Sequence, residues 1–311
     1  MAEYLFLTDQ MGWRQGLKVL GDKGETAITK ELQQIHDMEG FQPKHWHELT
    51  EEERKQALRY LIYLKEKRDG KIKGRGCADG RPQRLYTSKS ETLSPTVSLT
   101  GIVLMCMIDT FEGRDVATVC IPGAFLQTKM PEDDKDVRVV LDGRMSELLA
   151  KICPETYQKY VHKKQGQSYI YCKLNVALYG TLKAALLFWK KLTKSLKTRG
   201  FVINPYNWCV ANKQVDGKQC TIVWHVDDLK ISHVNPKVID EIVESLNEEY
   251  GKVGEMTARR GKVHDYLGMT LDFSQDKKFI ANMEAYFDEM LNDLPEDING
   301  TASIPAADHL L

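Results

Sequence analysis

The order of apolar and polar positions along this 311-residue chain predicts elements of two different periods. Between Gly24 and Glu39, Ile28, Leu32 and Ile35 recur at helical spacing and share one face. Thr50 caps a second expected helix running to Lys67, with Leu58, Leu61, Ile62 and Leu64 as its apolar positions. Residues 1–68 therefore read as a helical N-terminal connector. Residues 68–84, rich in Gly, Lys and Arg, read as turns and short strands. Ser94 as N-cap and Pro95 in the first helical position open a buried helix. Asp115–Cys120 then reads as a strand that Pro122 and Gly123 terminate.

Further on, residues 137–141 and 169–174 alternate like strands, with a helix expected between them. Residues 175–200 read as one long helix interrupted at Tyr179-Gly180. Phe188, Leu192 and Leu196 form its inner stripe, Lys190, Lys191, Lys194 and Lys197 its outer face, and Gly200 its stop. The Asp216-Gly217 pair predicts a hairpin, and a second turn follows through Asp227-Asp228. Asn235 and Pro236 cap a helix striped with Val238, Ile239, Ile242, Val243 and Leu246. Leu267, Met269, Leu271 and Phe273 alternate as in a strand, and a last helix spans roughly 284–294. From residue 116 the order is strand, helix, strand, strand, helix, strand, which is the split βαβ, ferredoxin-like order. The expected fold class is α+β. This order puts Asp227 and Asp228 on the hairpin between the central strands, beside the end of the first strand at Cys120.

Composition narrows the partners. A net charge of −1 and a pI of about 6.7 exclude a global basic footprint, so nucleic-acid binding needs a local patch. The best one lies between Lys65 and Arg84, with eight basic against three acidic residues. The longest apolar run, Ile102–Ile108, is too short for a membrane span, and no leader is visible at the start. Seven cysteines without a CxxC pair read as reduced thiols, so a cytoplasmic or nuclear setting is expected.

Asp227-Asp228 is the candidate chemistry. Adjacent carboxylates repel, and shared divalent cations relieve that cost. Hard oxygen ligands suit magnesium, and two such ions can activate an attacking oxygen and stabilise a leaving phosphate oxygen. A plain solvated turn is the other reading, as for Asp133-Asp134.

Several segments, in order, resemble the reverse transcriptases of copia-type retrotransposons. "WHVDDLKIS" (224–232) is similar to that family's Tyr-Val-Asp-Asp hairpin, with His225 in the tyrosine position. "IPGAFL" (121–126) resembles the end of its first catalytic motif. "KLNVALYGTLKAALLFW" (173–189) resembles "KALYGLKQAPRAW", "YLGM" (266–269) resembles its "FLG" hairpin, and Lys73–Arg75 with "ETLSPTV" (91–97) resembles "KAR…ETFSPV". The ending "SIPAADHLL" resembles the boundary before an RNase H region.

The resemblance implies a right hand with a ferredoxin-like palm and a fingers insertion. It implies a connector over 1–68, fingers and palm over 69–283, and the start of a thumb over 284–311. It also implies an enzyme that joins a primer 3′-hydroxyl to the α-phosphate of a deoxynucleotide, using two Mg ions, on an RNA template with a DNA primer. Asp227 and Asp228 match two metal-binding aspartates, and the third falls at Cys120. Lys73, Arg75 and Phe125 match nucleotide-binding positions, Phe125 as a steric gate. His225, Tyr179 and Gly180 match primer–template positions.

Two departures follow. A thiol with a pKa near 8.5 is mostly neutral and soft, so Cys120 is expected to impair catalysis. Asp115 lies five residues upstream, on the other face of the strand, and is not expected to substitute. The family's glutamine after "LYGLK" is Ala184, and the following Pro-Arg becomes Leu186-Leu187. The chain therefore reads as part of a larger polyprotein or a decayed copy. The rival functions are a non-catalytic nucleic-acid-binding relic and a metal-dependent phosphodiesterase. The second requires further carboxylates or histidines to converge on the hairpin; His233 is expected to lie too far along the strand, and the sequence does not place His264.

Overall fold

The structure is a computed structural model and describes residues 11–66, 70–88, 91–131 and 136–292. The Asp133-Asp134 loop, the end expected for the last helix and the terminal "SIPAADHLL" lie outside them.

The chain begins with β1 (Met11–Gly12), α1 (Trp13–Asp37), β2 (Phe41–Lys44), α2 (Glu51–Gln56), β3 (Leu58–Glu66) and β4 (Ile72–Ala78). Next come α3 (Leu99–Phe111), β5 (Asp115–Cys120), β6 (Arg138–Asp142), α4 (Arg144–Ile152), α5 (Pro154–Tyr157), β7 (His162–Lys164) and β8 (Gln167–Leu174). The remainder holds α6 (Ala184–Thr198), β9 (Val202–Ile203), β10 (Val210–Val215), β11 (Lys218–His225), β12 (Asp228–His233) and α7 (Pro236–Tyr250). It closes with β13 (Thr257–Arg260), β14 (Val263–Tyr266), β15 (Met269–Asp272), β16 (Ile280–Asn282) and α8 (Glu284–Asn292). The α+β class is as expected.

Among the described residues, the strands form sheets of seven, six and three. The six-stranded sheet runs β13-β5-β12-β11-β10-β9, and its first four strands have the ferredoxin-like order. Its edge strand is β13, not the 266–273 segment expected there. β13 (Thr-Ala-Arg-Arg) is exposed throughout and carries no apolar alternation, so nothing in its pattern marks it as a strand. The 266–273 segment instead belongs to the small sheet β14-β15-β16.

Burial explains the sheet's two faces. Ile222, Trp224, Leu229 and Ile231 share a core with the α6 stripe (Phe188, Leu192, Leu196) and the α7 stripe (Val238, Ile239, Leu246). Each such side chain contributes about 1.5–3 kcal/mol when fully buried. Lys230 points to the opposite face, where it pairs with Asp109 of α3, both fully buried. Asn235 caps α7 as expected, its side-chain oxygen accepting from the Lys237 N–H at 3.1 Å.

The seven-stranded sheet has the path β1-β3-β6-β8-β2, with β4 on β3 and β7 on β8. Ile28, Leu32 and Ile35 of α1 pack on it as expected, together with Leu148 and Leu149 of α4. Here the connector expectation fails. The helix capped by Thr50 ends at Gln56, and β3 follows with Leu58, Tyr60, Ile62 and Leu64 buried at period two. The boundary at 68 falls between β3 and β4, which pair from Tyr60 to Glu66, so β1, β2 and β3 are strands of this sheet rather than parts of a separate helical unit.

Two helix starts also move. α3 begins at Leu99, capped by Ser98, whose hydroxyl accepts from the Gly101 N–H at 3.0 Å; Ser94 and Pro95 precede it outside any helix. α6 begins only at Ala184, because Gly180 at φ +86° breaks any helix through 175–183.

Candidate functional site

The β11–β12 hairpin presents the two aspartates. His225 and Asp228 pair across it, leaving Val226-Asp227 as a two-residue turn. Val226 sits at φ +55°, a strained conformation for a β-branched residue. The Ile121 N–H donates to the Asp227 carbonyl at 2.9 Å, and the Tyr266 hydroxyl donates to the Asp228 carbonyl at 3.2 Å. These bonds tie the hairpin to the end of β5 and to β14.

Cys120 is the direct partner of Asp228 on β5, so the sequence placed the pair correctly. It opens to solvent through a cleft of about 320 Å³ shared with Asp228, Thr257, Arg259 and Tyr266. Enough protein surrounds the sulfur that burial, followed by the charges of Asp228 and Asp227, pushes its pKa up to about 11. The thiol is therefore neutral at pH 7. Asp227 is raised above the usual carboxylate range, first by burial and then by Asp228; Arg75 and Lys73 act against the rise.

The remaining expected residues converge from three directions. Lys73 and Arg75 lie on β4, and both reach the field of Asp227. The Arg75 guanidinium stands 5.6 Å from the Tyr179 ring centre, and the Tyr179 ring lies 4.4 Å from that of Phe125. Burial, then Asp227, pushes the Tyr179 phenol up to about 12. Phe125 is only 7% exposed and sits in the core against Phe188, so most of its ring is packing surface. His225 is half-buried beside the hairpin turn.

Gly180 has a structural reason. A Cβ there would collide with the Ala78 carbonyl oxygen, and one at Gly80 would meet the Gly180 carbonyl oxygen. The Ala78 N–H donates to the Tyr179 carbonyl at 2.7 Å, and the Leu182 N–H donates to the buried Gln83 side chain at 3.0 Å. These close approaches lock the β4 segment carrying Lys73 and Arg75 onto the segment carrying Tyr179.

Glu31 was not anticipated. It accepts the Gly76 N–H at 2.8 Å, and burial raises its pKa against the fields of Lys73 and Arg75. Its position beside the Ile28–Leu32–Ile35 stripe gave no signal of this role. Asp115 is at the far end of β5, paired with His233 in register and with Arg260 in charge. His264 is buried between Thr118 and the Gly261 carbonyl. Neither histidine joins the hairpin. Among the described residues, no group of three or more His, Cys, Asp or Glu side chains is arranged to hold a metal ion. Two carboxylates and a neutral sulfur do not fit a pair of magnesium ions, which require oxygen ligands in near-octahedral geometry.

No curated protein matches the chain. Among solved structures, it is similar to a Candida albicans telomerase in complex with a fragment of telomeric RNA, at 8% identity and a TM-score of 0.46, covering 86% of this chain and 51% of that one. It is also similar to a foamy viral protease-reverse transcriptase in complex with double-stranded DNA, at 13% identity and a TM-score of 0.37, covering 76% of this chain and 32% of that one. The chain thus spans about half or less of the length of these structures. The family model described as reverse transcriptase (RNA-dependent DNA polymerase) matches residues 46–307. The chain belongs to the reverse transcriptase family.

Proposed function

We propose that the chain is the RNA-templated DNA polymerase region of a copia-type transposable element, impaired in nucleotidyl transfer by Cys120. The observation that carries this reading is the direct pairing of Cys120 with Asp228 at the carboxylate hairpin. The partners are an RNA template, a DNA primer and deoxynucleotides, in the cytoplasm or nucleus. Residues 284–311 lead toward a thumb, and the chain is one part of a longer polyprotein or a decayed copy of one.

In this reading Lys73 and Arg75 meet the triphosphate, since both cations already face the Asp227 field. Tyr179, held over Phe125, forms the floor beneath the incoming sugar and templating base. Gly180 fixes that floor against β4, and His225 sits beside the primer end. Magnesium would bind properly only with a third hard oxygen donor, which Cys120 does not offer.

The test is primer extension on an RNA template by the wild type and by Cys120→Asp. Extension by the aspartate variant alone is the expected result. A wild type that extends as fast as the variant overturns the impairment. Ala184, in place of the family's glutamine at the start of α6, favours one second reading, a non-catalytic nucleic-acid-binding relic. That reading prevails if neither protein extends a primer that both bind.

A further inference from the structure

We propose that the solvent face of the seven-stranded sheet carries a separate slot in which an unpaired base of a single-stranded nucleic acid stacks. The inference rests on the polymerase reading for its ligand class and on a different part of the molecule for its geometry.

The slot is a cleft of about 510 Å³ at the β7–β8 end of the sheet. Its walls are aromatic and its rim is mostly cationic. The Trp46 indole stacks on His162 with ring centres 4.7 Å apart and planes 11° from parallel. Arg54 covers Trp46 at 4.2 Å and donates to its carbonyl at 2.9 Å, so the indole, with His162 also stacked on it, is a fixed wall and the tyrosines are left to take the base. Tyr169 and Tyr171, both half-buried, form the floor. Lys55 and Lys164 stand exposed at the rim; Glu51 is the acid there, in an exposed ion pair with Lys55 at 2.8 Å. Flat rings with surrounding cations suit a base and its phosphates, because stacking accepts any base and the cations replace released counterions. An acidic peptide would satisfy the lysines and leave the tyrosine rings unused.

The slot shares a face with the candidate polymerase site. Arg75 pairs with Tyr63 on β3, whose outward neighbour Arg59 pairs with Val140 on β6. Val140 in turn pairs with Tyr171 on β8. Directly paired residues project to the same side of a sheet, so Arg75 and Tyr171 look out from one surface. Three strand spacings across the sheet, about 14 Å, and the four residues along β3 from Tyr63 to Arg59, about 13 Å, put Arg75 and Tyr171 roughly 19 Å apart. At about 3.4 Å per stacked nucleotide, a strand leaving the Arg75 end crosses that distance in roughly six nucleotides. Tyr63 and Arg59 lie along the way, Arg59 in an exposed ion pair with Asp142 at 3.3 Å.

The experiment is fluorescence anisotropy of the full chain with two probes, a labelled single-stranded RNA and a blunt RNA–DNA duplex. Two double variants are compared with the wild type: Tyr169→Ser with Tyr171→Ser, and Lys55→Glu with Lys164→Glu, the second confined to exposed side chains that the fold does not need. Each is expected to weaken single-strand binding about ten- to a hundred-fold and leave duplex binding unchanged. Single-strand affinity that neither variant changes overturns the slot, and if duplex binding persists the polymerase reading stands without it. Slot-dependent single-strand binding with no duplex binding supports the slot and removes support from the polymerase reading. A wild type that binds neither probe overturns both.

Discussion

Cys120 and Asp228 are direct partners across β5 and β12, with the Asp227 carbonyl held by the next residue, Ile121. The site therefore has the backbone framework for three converging side chains, and its deficit is in side-chain chemistry. Cys120→Asp would complete a carboxylate cluster at the cost of added repulsion. Without divalent cations the variant should be less stable than the wild type by about 1–3 kcal/mol. Magnesium bound to the native state alone should then restore it by mass action. Thermal melts in chelator and in excess magnesium check this. A variant whose melting temperature ignores magnesium would count against the cluster.

The Lys230–Asp109 pair lies under the same strand and is fully buried. Removing one member strands the other charge in the interior, which costs about 3–5 kcal/mol. Asp109→Ala should show that full loss, because Lys230 keeps no other ion-pair partner among the described residues. Lys230→Met should cost less, since Asp109 retains Arg114 at 3.6 Å. Urea denaturation with unchanged m-values measures both. Equal losses for the two variants would show that Arg114 does not compensate.

His264 links the small sheet to β5 and is pushed below its ordinary pKa, first by burial and further by Lys230 and Arg260. The unfolded chain then binds the proton more readily than the folded one. The stability from the neutral, buried ring is full above the unfolded pKa of about 6.5. It is lost as pH falls through the depressed folded value, with a slope of at most about 1.4 kcal/mol per pH unit. His264→Gln should flatten that part of the stability profile between pH 7 and 5. An unchanged profile in chemical denaturation would rule out this histidine as the source.

The sequence was most readable where local chemistry admits one answer. Asp216-Gly217 adopts two positive φ angles, +50° and +73°, as a tight hairpin requires. The α6 stripe is buried as its spacing implied, and of the α7 stripe Val238, Ile239 and Leu246 are buried while Ile242 and Val243 stay half-buried. It was misleading where two periods overlap. Leu58, Leu61, Ile62 and Leu64 fit a helix, and only counting Tyr60 as apolar reveals the alternation of β3. β13 is held by backbone pairing with β5 and by ion pairs of Arg260 with Asp115 and Asp240, and its polar sequence shows no alternation that marks a strand. At the site, sequence placed Cys120 against the hairpin, but Glu31 arrives from a helix about ninety residues upstream of Cys120, through tertiary packing that no spacing encodes.

The contact between Gly180 and Ala78 yields the last prediction. Gly180 is at φ +86°, and a Cβ there would strike the Ala78 carbonyl oxygen. Gly143, at φ +53°, has open space where its Cβ would be. Alanine at either position bears the cost of the left-handed backbone, about 1–3 kcal/mol. Only Gly180→Ala must also push β4 away from Tyr179, breaking the Ala78–Tyr179 bond of 2.7 Å. Gly180→Ala should therefore lose clearly more stability than Gly143→Ala in the same melt. It should also displace Arg75 from the Tyr179 ring, weakening nucleotide binding that Gly143→Ala leaves intact. Equal losses would mean that the junction yields without strain and does not fix the two cations over the hairpin.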